Sequence, residues 1–323
     1  MNNLKKAGLS ALAGSLAMVS AHAGDFTVTG GSEITYVSNN GVSGNPFGMS
    51  HNIKFTGSGE VNGIGWTVFT DTAGQDFATD SSALTFDFGD MGTLAFEQGA
   101  DSSGIGSLAN NTPTAYEEAD HGTGSLADGL DAGGDTGVFA YNTSVSGLGI
   151  SVEYNPSSGG TALSQAGGNS GDGSTGSNVN YALTYALGDL ALAFGQSNDN
   201  NSGDTNDNSE ITYSANYAIG DFKVGVQKSD IDAGLATSAD NSVTAYAVAY
   251  NINEDLSVSY GISDNTKDNK AGVADVTEEN TGISAAYSMG SASLRASYNT
   301  TDNVGGVTGT NNDAMELSLN LTF

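Results

Sequence analysis

The chain has 323 residues, with 37 Asp and Glu against 8 Lys and Arg, and a formal net charge of −29. A chain this acidic will not bind nucleic acid or an anionic surface through charge, so its expected electrostatic partners are cations. The absence of Cys excludes a small disulfide-stapled domain and thiolate chemistry, and no apolar run reaches the length of a transmembrane helix.

The N-terminal segment has the pattern of a secretory signal peptide. Two lysines precede the apolar stretch 7–19, which is too short to cross a bilayer as a helix, and Ala21-His22-Ala23 supplies a small-x-small cleavage pattern. We therefore expect a signal peptide over residues 1–23 and a single mature domain over residues 24–323. The alternative is an uncleaved N-terminal membrane anchor, which would need a longer apolar run.

Short segments that alternate apolar and polar residues occupy the mature chain, for example 48–59, 178–187 and 209–218. In the C-terminal segment of the chain, the odd-numbered residues are apolar and the even-numbered residues are polar. The first set is Met315, Leu317, Leu319, Leu321 and Phe323, and the second set is Glu316, Ser318, Asn320 and Thr322. This period of two is that of a strand with two different faces. About sixteen such segments can be traced, each roughly as long as a tilted strand that crosses a bilayer. The pattern predicts an all-β, transmembrane antiparallel β-barrel of about sixteen strands.

The connections between these segments are alternately short and long. Tight turns such as Ile219-Gly220-Asp221 contain Gly, Asn and Asp, which tolerate the positive φ of hairpins. Longer stretches rich in Gly, Asn, Ser and Asp cover ranges such as 155–177 and 264–275. Short turns on one side and long loops on the other are typical of an outer-membrane barrel. A soluble hairpin protein is the alternative, but it would need a packed apolar interior.

The longest segment without strand character runs from about residue 99 to residue 135, between the fifth and sixth predicted strands. Long irregular loops in compact domains are usually functional. This loop is strongly acidic and includes Glu117, Glu118 and Asp120. An exposed acidic loop above the membrane is the alternative interpretation.

The chain resembles the general diffusion porins of alphaproteobacteria. The resemblance rests on the leader ending at Ala23, the opening strand 25–30, the Tyr-x-x-Gly-Asp hairpins at 185–189 and 217–221, and the closing Leu319-Asn320-Leu321-Thr322-Phe323. It implies a sixteen-stranded barrel in the lipid of the cell outer membrane, a homotrimer, and a third external loop folded inward. It also implies that the terminal Phe323 is recognised by the outer-membrane insertion machinery.

A protein of this kind has no reaction to catalyse, and its function depends on the width of its lumen and the charges that line it. Strand parity predicts a set of lumen-facing charges: acidic Glu33, Asp87, Glu97, Glu153, Glu210 and Glu316, and basic Lys54, Lys223 and Arg295. General porins set a basic wall cluster against an acidic inward loop, and three scattered cations depart from that pattern.

We therefore expect a constriction dominated by Glu117, Glu118 and Asp120, with Lys54 and Arg295 as partial counter-charges. A ring of carboxylates raises the local concentration of cations. The expected function is passive diffusion of ions and small hydrophilic solutes, with a preference for cations.

Three other functions are alternatives to this one. A substrate-selective channel would need an aromatic track or a dedicated binding site, and a surface adhesin would not need a polar inner face. An enzyme would need a base beside a nucleophile, whereas the mature chain retains only His51 and His121. No cofactor is expected apart from Ca²⁺, for which Asp128, Asp131 and Asp135 are candidate ligands. Their spacing does not match an EF-hand loop, and solvated acidic loops are the alternative.

Overall fold

The computed structural model describes residues 24–39, 44–74, 78–99, 103–124, 130, 136–156, 177–200, 208–234, 238–270 and 272–323. The expected signal peptide over residues 1–23 lies outside these ranges, as do the candidate Ca²⁺ ligands Asp128, Asp131 and Asp135, so both remain predictions. Within the described ranges, no helix is long and apolar enough to span a bilayer.

The described chain forms sixteen strands and three short 3₁₀ turns. The strands are β1 (Phe26–Asn39), β2 (Phe47–Val61), β3 (Ile64–Ala73), β4 (Ala78–Asp87), β5 (Thr93–Gln98), β6 (Thr136–Val145), β7 (Leu148–Asn155), β8 (Ser177–Leu187), β9 (Leu190–Asn200), β10 (Ser209–Ile219), β11 (Phe222–Asp232), β12 (Asp240–Asn251), β13 (Leu256–Asp268), β14 (Val276–Met289), β15 (Ala292–Asp302) and β16 (Asn311–Thr322). The 3₁₀ turns are Gly89–Met91, Gly106–Leu108 and Val304–Gly306.

Every strand pairs antiparallel with its sequence neighbours, and β1 pairs with β16 to close the barrel. The predicted sixteen-stranded antiparallel barrel is thus confirmed. At the seam, the Phe323 N–H donates to the Gly30 carbonyl at 3.0 Å, and the Gly30 N–H donates to the Phe323 carbonyl at 3.2 Å. The terminal residue therefore extends the closing ladder, while its ring remains exposed on the outside.

The barrel is apolar outside and polar inside, as a wall between lipid and water requires. On β16, Leu317, Leu319 and Leu321 point outward and are exposed. Tyr185 and Tyr217 lie on the same outer face near the short turns, where an aromatic ring suits the membrane interface. The buried apolar residues of the described chain are few and mostly small, so the barrel has no conventional hydrophobic core.

Tight turns close the hairpins at one end of the barrel. Between β2 and β3, Asn62 has a φ of 53° and Gly63 a φ of 80°. Positive φ at both central residues defines the turn type whose twist matches that of the two strands it joins. The Asn-Gly sequence is therefore what permits this hairpin.

Three outward carboxylates form a row across β13, β14 and β15. Asp264 lies opposite Glu279, and Glu279 lies opposite Asp302 in the strand register. All three share the parity of outward residues and are exposed. Like charges placed directly opposite one another destabilise a strand pair.

We expect Glu279→Gln to raise the free energy of unfolding by roughly 0.2–1 kcal/mol, because it removes two like-charge pairs at once. The measurement is a denaturant titration of the detergent-solubilised barrel, read from the gel mobility of folded and unfolded chains, at low and high salt. Asp313→Asn is the matched control, since Asp313 shares the outward parity of Met315 and lies opposite the uncharged Thr300. Equal effects of the two substitutions at low salt would contradict the expectation.

Candidate functional site

The inner wall from β7 to β16 carries amide and hydroxyl side chains that are buried even though they face the barrel lumen. These are Asn155, Asn180, Ser197, Thr212, Ser214, Asn216, Gln227, Ser229, Ser259, Ser263, Asn265, Asn280, Ser284, Ser297, Asn299, Thr301 and Ser318. Many of them are covered by the loop that connects β5 to β6, of which the structure describes residues 103–124 and 130. We call residues 103–124 the inner loop.

The first half of the inner loop is bound through its backbone to wall side chains of β7, β8, β10 and β11. The bonds are Gly104 N–H to Ser151 Oγ at 2.7 Å, Ile105 N–H to Asn180 Oδ1 at 2.9 Å, Asn111 N–H to Gln227 Oε1 at 2.7 Å, Gln227 Nε2 to the Leu108 carbonyl at 2.6 Å, and Asn216 Nδ2 to the Asn111 carbonyl at 2.8 Å. The loop has little regular secondary structure of its own, so the wall supplies the partners that its backbone groups need.

The second half continues around the wall past β13, β14, β15 and β16 to β1. The bonds are Ala115 N–H to Ser259 Oγ at 2.9 Å, Tyr116 N–H to Ser284 Oγ at 3.1 Å, Asn299 Nδ2 to the Glu118 and His121 carbonyls at 2.9 Å each, Asn312 Nδ2 to the Thr123 carbonyl at 2.6 Å, and Asn39 Nδ2 to the Gly122 carbonyl at 2.5 Å. The loop is therefore folded inward and follows more than half of the inner circumference.

Glycines in the wall create the space through which the inner loop passes. A Cβ at Gly195 would lie 2.7 Å from Ile105 Cγ1, one at Gly225 would lie 2.5 Å from Pro113 Cδ, and one at Gly282 would lie 2.7 Å from Ala119 Cα. Real Cβ atoms do not approach other atoms so closely. The loop and the wall are therefore complementary in shape as well as in hydrogen bonding.

Charged and ionisable side chains meet where the loop passes β15 and β16. The imidazole of His121 lies between two carboxylates, with Nδ1 3.3 Å from Glu117 Oε2 and Nε2 3.2 Å from Glu316 Oε2. The Tyr116 hydroxyl donates to Glu316 Oε1 at 2.8 Å. The guanidinium of Arg295 lies over the Tyr116 ring, 5.3 Å from its centroid, at a distance typical of a cation–π contact. We call these five residues the loop–wall cluster.

Burial in this cluster changes two loop pKa values. The pKa of Glu117 is raised mainly by burial and further by the nearby Glu118 and Glu316, while His121 acts in the opposite direction. Burial and the Glu316 carboxylate raise the pKa of Tyr116 well above its usual range. Tyr116 therefore remains a neutral hydrogen-bond donor toward Glu316 at physiological pH.

The residues expected to form the constriction are distributed over two regions. Glu117 and Arg295 belong to the loop–wall cluster, together with Glu316. Glu118 and Asp120, together with Glu117, line a cavity of about 40 Å³ between the loop and the wall formed by β11 to β14.

Lys54 lies in a different sector, on β2, which is separated from β16 by β1. Its Nζ is 3.7 Å from the centroid of the Phe69 ring. In the register, Asp71 lies directly opposite Lys54.

The remaining charged residues that were predicted to face the lumen have different surroundings. Glu97, Glu153 and Glu210 are buried, at 5%, 3% and 6% exposure, so their carboxylates are withdrawn from open water. Glu33 accepts a hydrogen bond from the Ser318 hydroxyl. Asp87 accepts the Gly89 N–H at 2.8 Å and so caps the turn after β4. Lys223 is exposed at the short-turn end of β11.

The sequence interpretation missed several residues of the interior. Lys267 shares the lumen-facing parity of the buried Asn265, so four basic side chains face the lumen rather than the three predicted. Asp71 and the fully buried Glu278 also face inward, and Glu278 Oε2 accepts the Gly305 N–H at 2.7 Å. His121 was recognised only as a loop residue, although its spacing of four residues from Glu117 was a usable signal.

Comparisons with known proteins agree with this architecture. A family model described as Gram-negative porin matches residues 8–323. The fold is similar to that of OmpT of Vibrio cholerae in its trimer form, with a TM-score of 0.69, 15% identity, and coverage of 93% of this chain and 100% of that chain. It is similar to an anion-selective porin from Comamonas acidovorans, with a TM-score of 0.64, 13% identity and coverage of 93% and 99%.

A mutant of Rh. blastica porin gives a TM-score of 0.61 at 17% identity, with coverage of 93% of this chain and 100% of that chain. At these identities the likeness to solved structures shows the fold. A comparison with curated proteins finds no match.

We expect Gly282→Ala to lower the free energy of unfolding by about 1–3 kcal/mol, because its Cβ would overlap the loop backbone at Ala119 and the amide of Asn299. The measurement is denaturant unfolding of the folded barrel in detergent. Gly261→Ala is the matched control, since Gly261 lies directly opposite Gly282 and its Cβ would meet Ala119 Cβ at an ordinary 3.6 Å. If both substitutions had the same effect, close contact between loop and wall at this point would be disproved.

Proposed function

Since the chain belongs to the Gram-negative porin family, we propose that its barrel mediates passive diffusion of ions and small hydrophilic solutes, with a preference for cations. The family and the fold indicate a channel in the cell outer membrane rather than an enzyme. The ionic preference of such a channel depends on the individual charges that line it.

The observation that carries the proposal is the acidic inner loop bound inside a lumen with few cations. Glu117, Glu118 and Asp120 lie on the part of the loop that crosses the wall from β13 to β16. The described part of the loop follows the wall from β7 around to β1, so we place the solute path on the β2–β4 side of the lumen. Solutes would then pass between a loop that carries carboxylates and a wall that carries Lys54 and Asp71.

Four basic side chains of the described residues face the lumen, and they offset this charge only weakly: Lys54, Lys223, Lys267 and Arg295. Lys228 lies opposite the outward Tyr213 and faces away from the lumen, and Lys270 is paired with Asp240. Arg295 lies over the ring of Tyr116. A local excess of carboxylates concentrates cations and disfavours anions in a narrow aqueous passage.

The barrel architecture by itself does not determine the ionic preference. One structure with a similar fold is described as an anion-selective porin, from Comamonas acidovorans. Ionic preference on such a scaffold must depend on the side chains that line it. The cation preference proposed for this chain therefore rests on its own loop and wall charges.

We also propose that the barrel assembles as a homotrimer. The outward face of β1 to β4 carries polar side chains, including Ser32, His51, Thr70 and Ser82, among apolar neighbours. Polar groups are costly against lipid, whereas contact with another subunit can accommodate them. OmpT of Vibrio cholerae, which has a similar fold, is described in a trimer form.

We also propose that the outer-membrane insertion machinery recognises the C-terminal Phe323, whose ring is exposed on the outside of the barrel.

In a planar bilayer with a KCl gradient, we expect the wild-type barrel to give a cation-selective reversal potential. The combined variant Glu117→Gln, Glu118→Gln, Asp120→Asn should move that potential toward zero, because it removes three loop carboxylates. Asp264→Asn removes an outward carboxylate and should leave the potential unchanged. An anion-selective wild-type potential would refute the proposed preference, and an unchanged potential in the triple variant would place its origin elsewhere.

A further inference from the structure

The loop–wall cluster contains a set of side chains that matches the ligands of a transition-metal ion. Glu117, His121 and Glu316 can each offer one ligand atom, and the three atoms lie within 4.8 Å of one another. An imidazole nitrogen combined with carboxylate oxygens suits Zn²⁺ and the neighbouring divalent transition metals. A hard cation such as Ca²⁺ would need six to eight oxygens instead.

We propose that Glu117, His121 and Glu316 form a binding site for one divalent transition-metal ion, which would join the inner loop to the barrel wall. Two of the ligands lie on the loop, and the third lies on β16. The ion would lie where one ligand atom from each of the three side chains can reach it. One imidazole nitrogen and one oxygen from each Glu would bind it, and water would complete the coordination.

The surrounding contacts hold these ligands in position. Glu316 Oε1 accepts the Tyr116 hydroxyl at 2.8 Å, which orients the carboxylate with Oε2 toward His121. Asn299 Nδ2 binds the carbonyls of Glu118 and His121, so the backbone that carries the two loop ligands is fixed to β15. Hydrogen bonds that orient the ligands in this way are a regular part of protein metal sites.

The charge balance also favours a divalent ion. The three ligands carry two negative charges when His121 is neutral, and a divalent ion would neutralise them. Arg295 is the nearby cation, and its charge is directed at the Tyr116 ring. Glu118, the neighbour of Glu117 in the chain, adds negative charge close to the cluster. A bound ion would lower the negative charge of the passage and fix the loop, so it should reduce the cation current.

Two readouts test the site, and the first does not depend on the proposed function. Zn²⁺ should raise the unfolding temperature of the detergent-solubilised barrel, because an ion that binds only the folded state stabilises it. In a planar bilayer, Zn²⁺ added to the wild-type channel should reduce the cation current, and Ca²⁺ at equal concentration should have much less effect.

Substitutions of the proposed ligands distinguish Zn²⁺ binding at this site from a general screening of charge by Zn²⁺. His121→Gln removes the only nitrogen ligand and should weaken Zn²⁺ binding about tenfold or more in both readouts, and Glu316→Gln should do the same. Asp264→Asn is the control, since it removes an exposed outward carboxylate outside the ligand set and should leave the Zn²⁺ effects unchanged.

Zn²⁺ stabilisation that persists in both His121→Gln and Glu316→Gln would overturn the proposed site, as would equal effects of Ca²⁺ and Zn²⁺ on the wild type. Stabilisation by Zn²⁺ that is lost in both variants would support the site even if the channel proved not to prefer cations. The failure of the metal site and the failure of the proposed selectivity can thus be told apart.

Discussion

Hydrogen bonds between wall side chains and the backbone of the inner loop are the interaction on which the rest of the structure depends. An irregular segment inside a barrel leaves its N–H and C=O groups without partners unless water or the wall supplies them. Here Asn180, Gln227, Ser259 and Asn299 supply them at successive points along the wall. Wall glycines allow the close approach, for example at Gly282. The positions of Glu117, Glu118 and Asp120 follow from this attachment.

The attachment also explains how one loop contributes both structure and charge. The backbone of the loop is directed to the wall, while Glu117 and His121 meet Glu316 across the loop–wall boundary. Tyr116 connects the two sides, because its N–H donates to Ser284, its hydroxyl donates to Glu316, and its ring contacts a guanidinium. We therefore expect the proposed selectivity to depend on the loop position, so that a change in the cluster affects both.

The barrel itself could be predicted from the sequence because the bilayer imposes a period of two, which β16 shows clearly in its leucines. The position of the inward loop was also predictable, because strand alternation stops there. The attachment of the loop was not, since alternating Asn, Ser and Thr suit water and a bound backbone equally well. Lys267 was missed for a related reason: the polar range 264–275 was predicted to be a loop, whereas β13 continues to Asp268. A strand that extends beyond the membrane loses the apolar residues that mark its period.

The most direct test of this account is hydrogen–deuterium exchange of the inner-loop amides in the folded barrel. The N–H groups of Gly104, Ile105, Asn111, Ala115 and Tyr116 donate to wall side chains. We predict that their exchange is slow, and that Gln227→Leu speeds exchange at Asn111, which loses its acceptor. Exchange of all five amides at the rate of an exposed loop would contradict the attachment and, with it, the proposed constriction.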